Sequence, residues 1–225
     1  MSRRRFIRSA PLLPLLLAAA LATWSCDKTE PSQPNEIIAF GDSLVFGIGT
    51  TSGNNFVSLL EQRLSVDIRN SGIPGDTTGS ALARLNSSVL SRNPRLVIVL
   101  LGANDLFQGV PIAQRVSNIT SIVQQIRTRG AKVVLVELTV DTTADPFGGA
   151  LPGIATQTAS SLVPGVIDGF YGDPVFMAPD GVHPNNAGHK IMADRIEPVL
   201  RVALMSSQVA ALMSPQSATQ FVRPR

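Results

Sequence analysis

One cysteine in 225 residues excludes an intrachain disulfide, so packing alone has to hold the chain together. Histidine is almost as scarce, with His183 and His189 the only two. No Cys/His cluster or metal-ligand spacing surrounds them, and no metal or other cofactor is expected. The phosphate-cradling Gly-x-x-x-x-Gly-Lys pattern is missing. The Gly-x-Ser-x-Gly elbow is missing as well, because Val45 stands where its second glycine would follow Ser43. Basic charge is concentrated rather than spread. The formal net charge is +3, yet Arg3, Arg4, Arg5 and Arg8 lie within residues 1–25, which hold no acid. The rest of the chain carries 15 basic and 16 acidic side chains, a net of −1. Apart from two arginines at the extreme C-terminus it has no basic run, which excludes a nucleic-acid footprint. There is no internal repeat.

The length suits one domain with a full core. The one stretch that invites a membrane reading is at the start. A basic segment, Ser2-Arg3-Arg4-Arg5-Phe6-Ile7-Arg8, precedes an apolar run from Ala10 to Ala22. That run has the length of a signal sequence and is short for a spanning helix. Residues 1–25 therefore read as an export signal, and the arginine order also resembles a twin-arginine leader. Thr23-Trp24-Ser25-Cys26-Asp27 resembles a bacterial lipoprotein cleavage site, with the small Ser25 in place and with Thr23 and Trp24 departing from the pattern. Cys26 is the candidate lipidated residue. The rival is plain secretion after Ala20-Leu21-Ala22. Residues 26–36, rich in acids, proline and small polar residues, read as a tether. The folded domain is expected over 37–205 and a frayed tail over 206–225. The expected location is the bacterial cell envelope, lipid-anchored on the periplasmic face, or otherwise soluble periplasmic or secreted.

Ile37–Phe40, Leu96–Leu101 and Lys132–Leu138 are largely apolar runs, the last broken only by Lys132 and Glu137, and a weaker strand is expected at Val66–Asn70. Uninterrupted β-branched runs predict strands covered on both faces, hence a parallel sheet. Phe56, Val57, Leu59, Leu60 and Leu64 follow helical spacing, and Val116, Ile119, Ile122, Val123 and Ile126 form one stripe between Pro111 and Gly130. A last helix is expected over about Asn186–Leu204, its Met192, Ile196, Val199 and Leu200 facing the core. The alternation predicts a single three-layer α/β/α domain with a mostly parallel, doubly wound sheet. Residues 139–165 are rich in Gly, Pro, Thr, Ser and Ala. They read as a long loop with one short helix near Ala155–Leu162.

Candidate chemistry falls in four places. Ser43 follows the first apolar run in Gly41-Asp42-Ser43-Leu44. A glycine turn, Asn70 to Thr77, follows the weaker run. Gly102-Ala103-Asn104-Asp105 follows the strongest one, and Asp180-Gly181-Val182-His183-Pro184 precedes the last helix. The first three then open at the carboxyl end of the sheet, where open α/β folds keep their sites. A serine nucleophile, a histidine base and an acid to orient it are the parts of a nucleophilic hydrolase. The spacing between Asp180 and His183 lets one turn present both toward Ser43. His189 reads as exposed or structural, and Asp42 and Asp105 as scaffold carboxylates that bond loop amides.

These four blocks, in this order, resemble the SGNH hydrolases, or GDSL esterase/lipase family. The likeness covers about residues 36–204 and is nearest to the bacterial lysophospholipase/thioesterase/arylesterase branch, which shares Gly75-Asp76-Thr77. It implies the flavodoxin-like SGNH fold and a carboxylic-ester hydrolase working through an acyl-enzyme. It implies a triad of Ser43, His183 and Asp180. It also implies an oxyanion hole made by the Ser43 and Gly75 backbone N–H groups and the Asn104 amide. The expected partner is a small-molecule ester or a lipid, without nucleic acid, and with membrane contact through the candidate anchor at Cys26. Among Phe46, Ile48, Leu106, Phe107 and Val110, some are expected to line an apolar pocket. A carbohydrate O-acetyl esterase and a non-catalytic tethered binding protein are the alternatives.

Overall fold

In the computed structural model, the structure describes residues 36–139 and 145–212, the last seven by backbone alone. The expected signal, most of the tether including Cys26, and the end of the tail lie outside these residues. Five strands form one parallel sheet in the order β2-β1-β3-β4-β5. They are β1 (Glu36–Gly41), β2 (Ile68–Gly72), β3 (Pro94–Leu100), β4 (Lys132–Val136) and β5 (Ser161–Val163). Ile37 pairs with Ile68 on one side of β1, and Ile38 with Val97 on the other. Val97 pairs in turn with Val133, and Leu135 with Leu162.

The alternation of side chains along each strand divides the core in two. Ile37, Ala39, Leu96, Ile98 and Leu100 pack on one face with Phe56 and Leu60 of α2 (Phe56–Leu64), and with Met192, Ile196 and Leu200 of α7 (Asn186–Leu212). Ile38, Phe40, Val97 and Val99 pack on the other. They meet Ala81 and Leu85 of α3 (Thr78–Ser88) and Ile119, Ile122 and Ile126 of α5 (Ile112–Thr128). Burial on both faces is why β1 and β3 read as unbroken apolar runs.

Three expectations are revised. The short helix near 155–162 is instead α6 (Leu151–Gln157), whose Pro152 lies in the first turn, where a missing N–H is tolerated. Ser161–Val163 is a strand, too short to show a period of its own. The last helix continues to Leu212, into the expected tail, and Leu204 is among the residues it contributes to the core. Helix α3 turns Ala81 and Leu85 toward the core, and a capping box fixes its start. Thr77 Oγ1 accepts from Ser80 N at 3.2 Å, and Ser80 Oγ accepts from Thr77 N at 2.9 Å.

The order of the sheet reverses at β1, which leads to β2 on one side and to β3 on the other. A crevice forms at such a switch point, outside the carboxyl ends of the two strands. Ser43 follows shortly after β1 and Asn104 shortly after β3 at this end of the sheet.

Candidate active site

Ser43 is the first residue of a single-turn helix, α1 (Ser43–Phe46), set directly on the end of β1. Asp42 caps it, its Oδ1 accepting from Leu44 N at 3.0 Å. The turn is tight because Gly41 lies against β3. A Cβ there would sit 2.1 Å from the Leu100 carbonyl oxygen and 2.5 Å from a Val45 methyl. Glycine is thus required by close approach, and Ser43 is held over the crevice.

The second group arrives on the segment before α7. The Ala178 N–H donates to the His183 carbonyl at 2.7 Å, and Met177 bridges Pro184. Asn185 then ties the segment down. Its Nδ2 donates to the Val175 and Met177 carbonyls at 2.9 and 3.1 Å, while its Oδ1 accepts from Ala187 N at 2.8 Å. Inside this frame Asp180 Oδ1 accepts from the backbone N–H of Val182 and of His183, at 2.9 and 3.0 Å. Its Oδ2 lies 2.7 Å from His183 Nδ1, and His183 Nε2 lies 3.0 Å from Ser43 Oγ. Serine, histidine and acid are thus joined in one hydrogen-bonded chain. The His183 backbone N–H, its ring and the Val182 N–H together hold the Asp180 pKa down at about 2. The carboxylate is therefore ionised at any ordinary pH, which favours the proton on Nδ1 and leaves Nε2 as the acceptor toward Ser43.

The loop after β2 and the start of α4 (Ala103–Phe107) complete the crevice. Gly75 has φ +84°, and its backbone conformation, rather than any neighbour, calls for glycine, since a Cβ would meet nothing within 4 Å. Asn104 Nδ2 donates to the Asp76 carbonyl at 2.9 Å, which fixes the amide beside Gly75. Ser43, Gly75, Asn104 and His183 all line one cleft of about 440 Å³. Apolar side chains dominate its wall, among them Leu44, Ile48, Leu106, Phe107, Leu138, Ile167 and Val182. Of the five expected pocket residues, Ile48, Leu106 and Phe107 line it. Phe46 is exposed elsewhere and Val110 is not part of the wall. Tyr171 also lines it, its hydroxyl kept neutral by burial and by the nearby Asp180 charge.

The two scaffold carboxylates are fully buried. Asp105 accepts from both the N–H and the hydroxyl of Thr78, at 2.7 and 2.6 Å, joining α4 to α3. Asp42 has one oxygen on Leu44 N and the other without a partner. Burial pushes its pKa up to about 7, and Asp76 and Asp105 add repulsion. His189 is buried and structural. Its Nδ1 accepts from Phe56 N at 3.2 Å and its ring stacks on Phe56. Burial lowers its pKa to about 4, so it is neutral. Arg84 escaped the sequence reading. It contacts the loops around the cleft, and the only sequence trace of it is the four-residue spacing of Asp76, Ser80 and Arg84. Among the described residues no group of acids, histidines or cysteines is arranged to hold a metal.

Fold and cleft define a class, an α/β/α hydrolase with its site at the switch point of a parallel sheet. The profile of the GDSL-like Lipase/Acylhydrolase family matches residues 39–191, and the chain belongs to that ester-hydrolase family. It is similar to the esterase TesA of Pseudomonas aeruginosa, with 30% identity over 84% of this chain and 98% of the relative. It is also similar to thioesterase 1/protease 1/lysophospholipase L1 of Escherichia coli K12, with 27% identity over 70% of this chain and 79% of the relative. Among solved structures, the crystal structure of TesA superposes with a TM-score of 0.70, covering 75% of this chain and 99% of that one at 30% identity. The SGNH fold expected from the four sequence blocks is the fold observed.

Proposed function

We propose that the protein is an exported serine esterase that cleaves carboxylic esters of apolar acids through an acyl-enzyme formed on Ser43. The observation that carries this reading is the chain Asp180–His183–Ser43, with bonds of 2.7 and 3.0 Å, opening on an apolar cleft. His183 Nε2 takes the Ser43 proton as Oγ attacks the ester carbonyl carbon. The oxyanion so formed is met by the Ser43 and Gly75 N–H groups and by the second N–H of Asn104, the first being committed to Asp76. The C–O bond to the alcohol then breaks, and His183 returns its proton to the leaving oxygen. Water repeats the sequence on the acyl-enzyme, releasing the acid and restoring Ser43. Asp180 holds the imidazole and stabilises its charged form at both steps.

The apolar wall supports an acyl or aryl group of moderate size over a sugar. That opposes the O-acetyl polysaccharide reading. The complete hydrogen-bonded chain likewise opposes a binding protein without turnover. The relative named a thioesterase and lysophospholipase makes thioesters and lysophospholipids natural trial substrates. Export rests on residues 1–25, and anchoring on Cys26 and its tether. No helix among the described residues is long and apolar enough to cross a membrane.

The test is hydrolysis of a p-nitrophenyl ester series, from acetyl to long acyl chains, by the protein and by its Ser43→Ala variant. Turnover that peaks on medium chains and vanishes in the variant is expected. Turnover undiminished in Ser43→Ala would remove Ser43 from the mechanism, and a preference for acetyl alone would restore the deacetylase reading.

A further inference from the structure

Arg84 reaches from α3 toward the ends of β1 and β2, its side chain only 14% exposed. Its Nε donates to Asp76 Oδ2 at 2.6 Å. Nη2 donates to the Gly41 carbonyl at 2.9 Å and to the Ser71 carbonyl at 3.1 Å, and Nη1 reaches Ser71 Oγ at 3.3 Å. The guanidinium also lies 4.3 Å from the centre of the Phe40 ring. One planar cation thus spans three segments. Gly41 stands two residues before the nucleophile, Ser71 opens the glycine turn, and Asp76 directly follows Gly75. Asp76 carries the linkage one step further, because its own carbonyl accepts from Asn104 Nδ2 at 2.9 Å.

We propose that Arg84 is a positioning residue for ester hydrolysis, holding the Gly75 and Asn104 donors in register with Ser43. The inference rests on the serine-esterase reading above. Arginine suits the task because its donors form a rigid fork that can meet several acceptors at once, whereas a lysine offers a compact point charge. The Arg84–Asp76 pair is also largely shielded from water, unlike a surface ion pair, whose worth is small. Catalysis by an oxyanion hole requires donors fixed before the charge develops, and a misplacement of about 1 Å can cost on the order of 10² in rate. Arg84 touches no substrate. It acts on the barrier by fixing groups that do.

The experiment measures kcat and KM for Arg84→Lys, Arg84→Ala and Asn104→Ala, and for Arg84→Lys combined with Asn104→Ala. Active sites are titrated with a phosphonate and melting is followed alongside. In Arg84→Lys, kcat per titrated site should fall about 10- to 100-fold, with KM nearly unchanged. Millimolar guanidinium should restore part of kcat in Arg84→Ala. In the Asn104→Ala background the lysine substitution should cost less than in the wild type, because one of the two donors it positions is gone. Wild-type kcat per site in Arg84→Lys would overturn the proposal even if Arg84→Ala fails to fold. So would an undiminished cost in the Asn104→Ala background, or a change confined to KM. Ser43→Ala run in parallel separates the two ideas. Turnover retained there sinks the esterase reading itself, while a dead Ser43→Ala beside fully active Arg84 variants sinks only the role of Arg84.

Discussion

At the scale of single residues, two of the buried ionisable groups, Asp42 and His189, oppose each other with pH. Asp42 has a folded pKa of about 7 against an ordinary value of 3.8, so between those values the native state binds more protons than the unfolded chain. Its burial therefore lowers stability as pH rises across that window. His189 has a folded pKa of about 4 against 6.5, so there the unfolded chain binds more protons, and stability falls as pH drops from 6.5 to 4. Asp42→Asn keeps an oxygen for Leu44 N and presents an uncharged group where the acid is hard to ionise. The stability gained by Asp42→Asn over wild type should grow by a few kcal/mol from pH 4 to 7 and then level off. Urea unfolding across that range reads it, and a pH-independent difference would contradict the buried-acid account. Asp180 is the opposite case, held ionised down to about pH 2 by donors on its own turn. Asp180→Asn should leave the turn folded yet cut kcat by roughly 10⁴, because the imidazole then loses its tautomer and its charge partner. Stopped-flow or steady-state turnover checks this, and near-wild-type kcat would leave His183 without need of an orienting acid.

At the scale of elements, the site depends on how β1 ends. Gly41 lets β1 touch the Leu100 carbonyl of β3 while α1 starts at once. Gly41→Ala would force a Cβ against backbone that has no room to yield. Overpacking of this kind costs about 1–3 kcal/mol or more, and here it would also shift Ser43 away from His183. Both urea midpoint and kcat are expected to fall, and a variant with normal values for both would show that β3 gives way easily. Helix α7 contributes differently. Its N-terminus is capped by Asn185, and its buried Met192, Ile196 and Leu200 lock the preceding His183 turn to the core. Its first residue, Asn186, is held from the other side by Thr51, whose N–H donates to Asn186 Oδ1 at 2.9 Å.

At the scale of the whole molecule, the strand order places the site at the β1/β3 switch point, and the chain enters β1 from the opposite end of the strand. Cys26→Ala is expected to move the protein from the membrane fraction to the soluble one without changing kcat on soluble esters. Unchanged fractionation would exclude lipidation at that residue.

Much of this was legible along the chain. Short apolar runs rich in β-branched residues pointed to strands buried on both faces, and Ser43, Asn104, Asp180 and His183 each sat in a block short enough to be recognised locally. β5 and the extension of α7 were not legible, because a three-residue pairing and backbone continuation leave little apolar period. The role of Arg84 was hidden for a different reason. Its partners Gly41, Ser71 and Asp76 come from three segments, and two of the acceptors are backbone carbonyls, which carry no residue identity. Sequence alone determined which groups could react and which segments would be buried. The tertiary structure decided their distances, the apolar cleft they share, and the burial that shifts Asp42 and His189, because each depends on how remote segments desolvate and support one another.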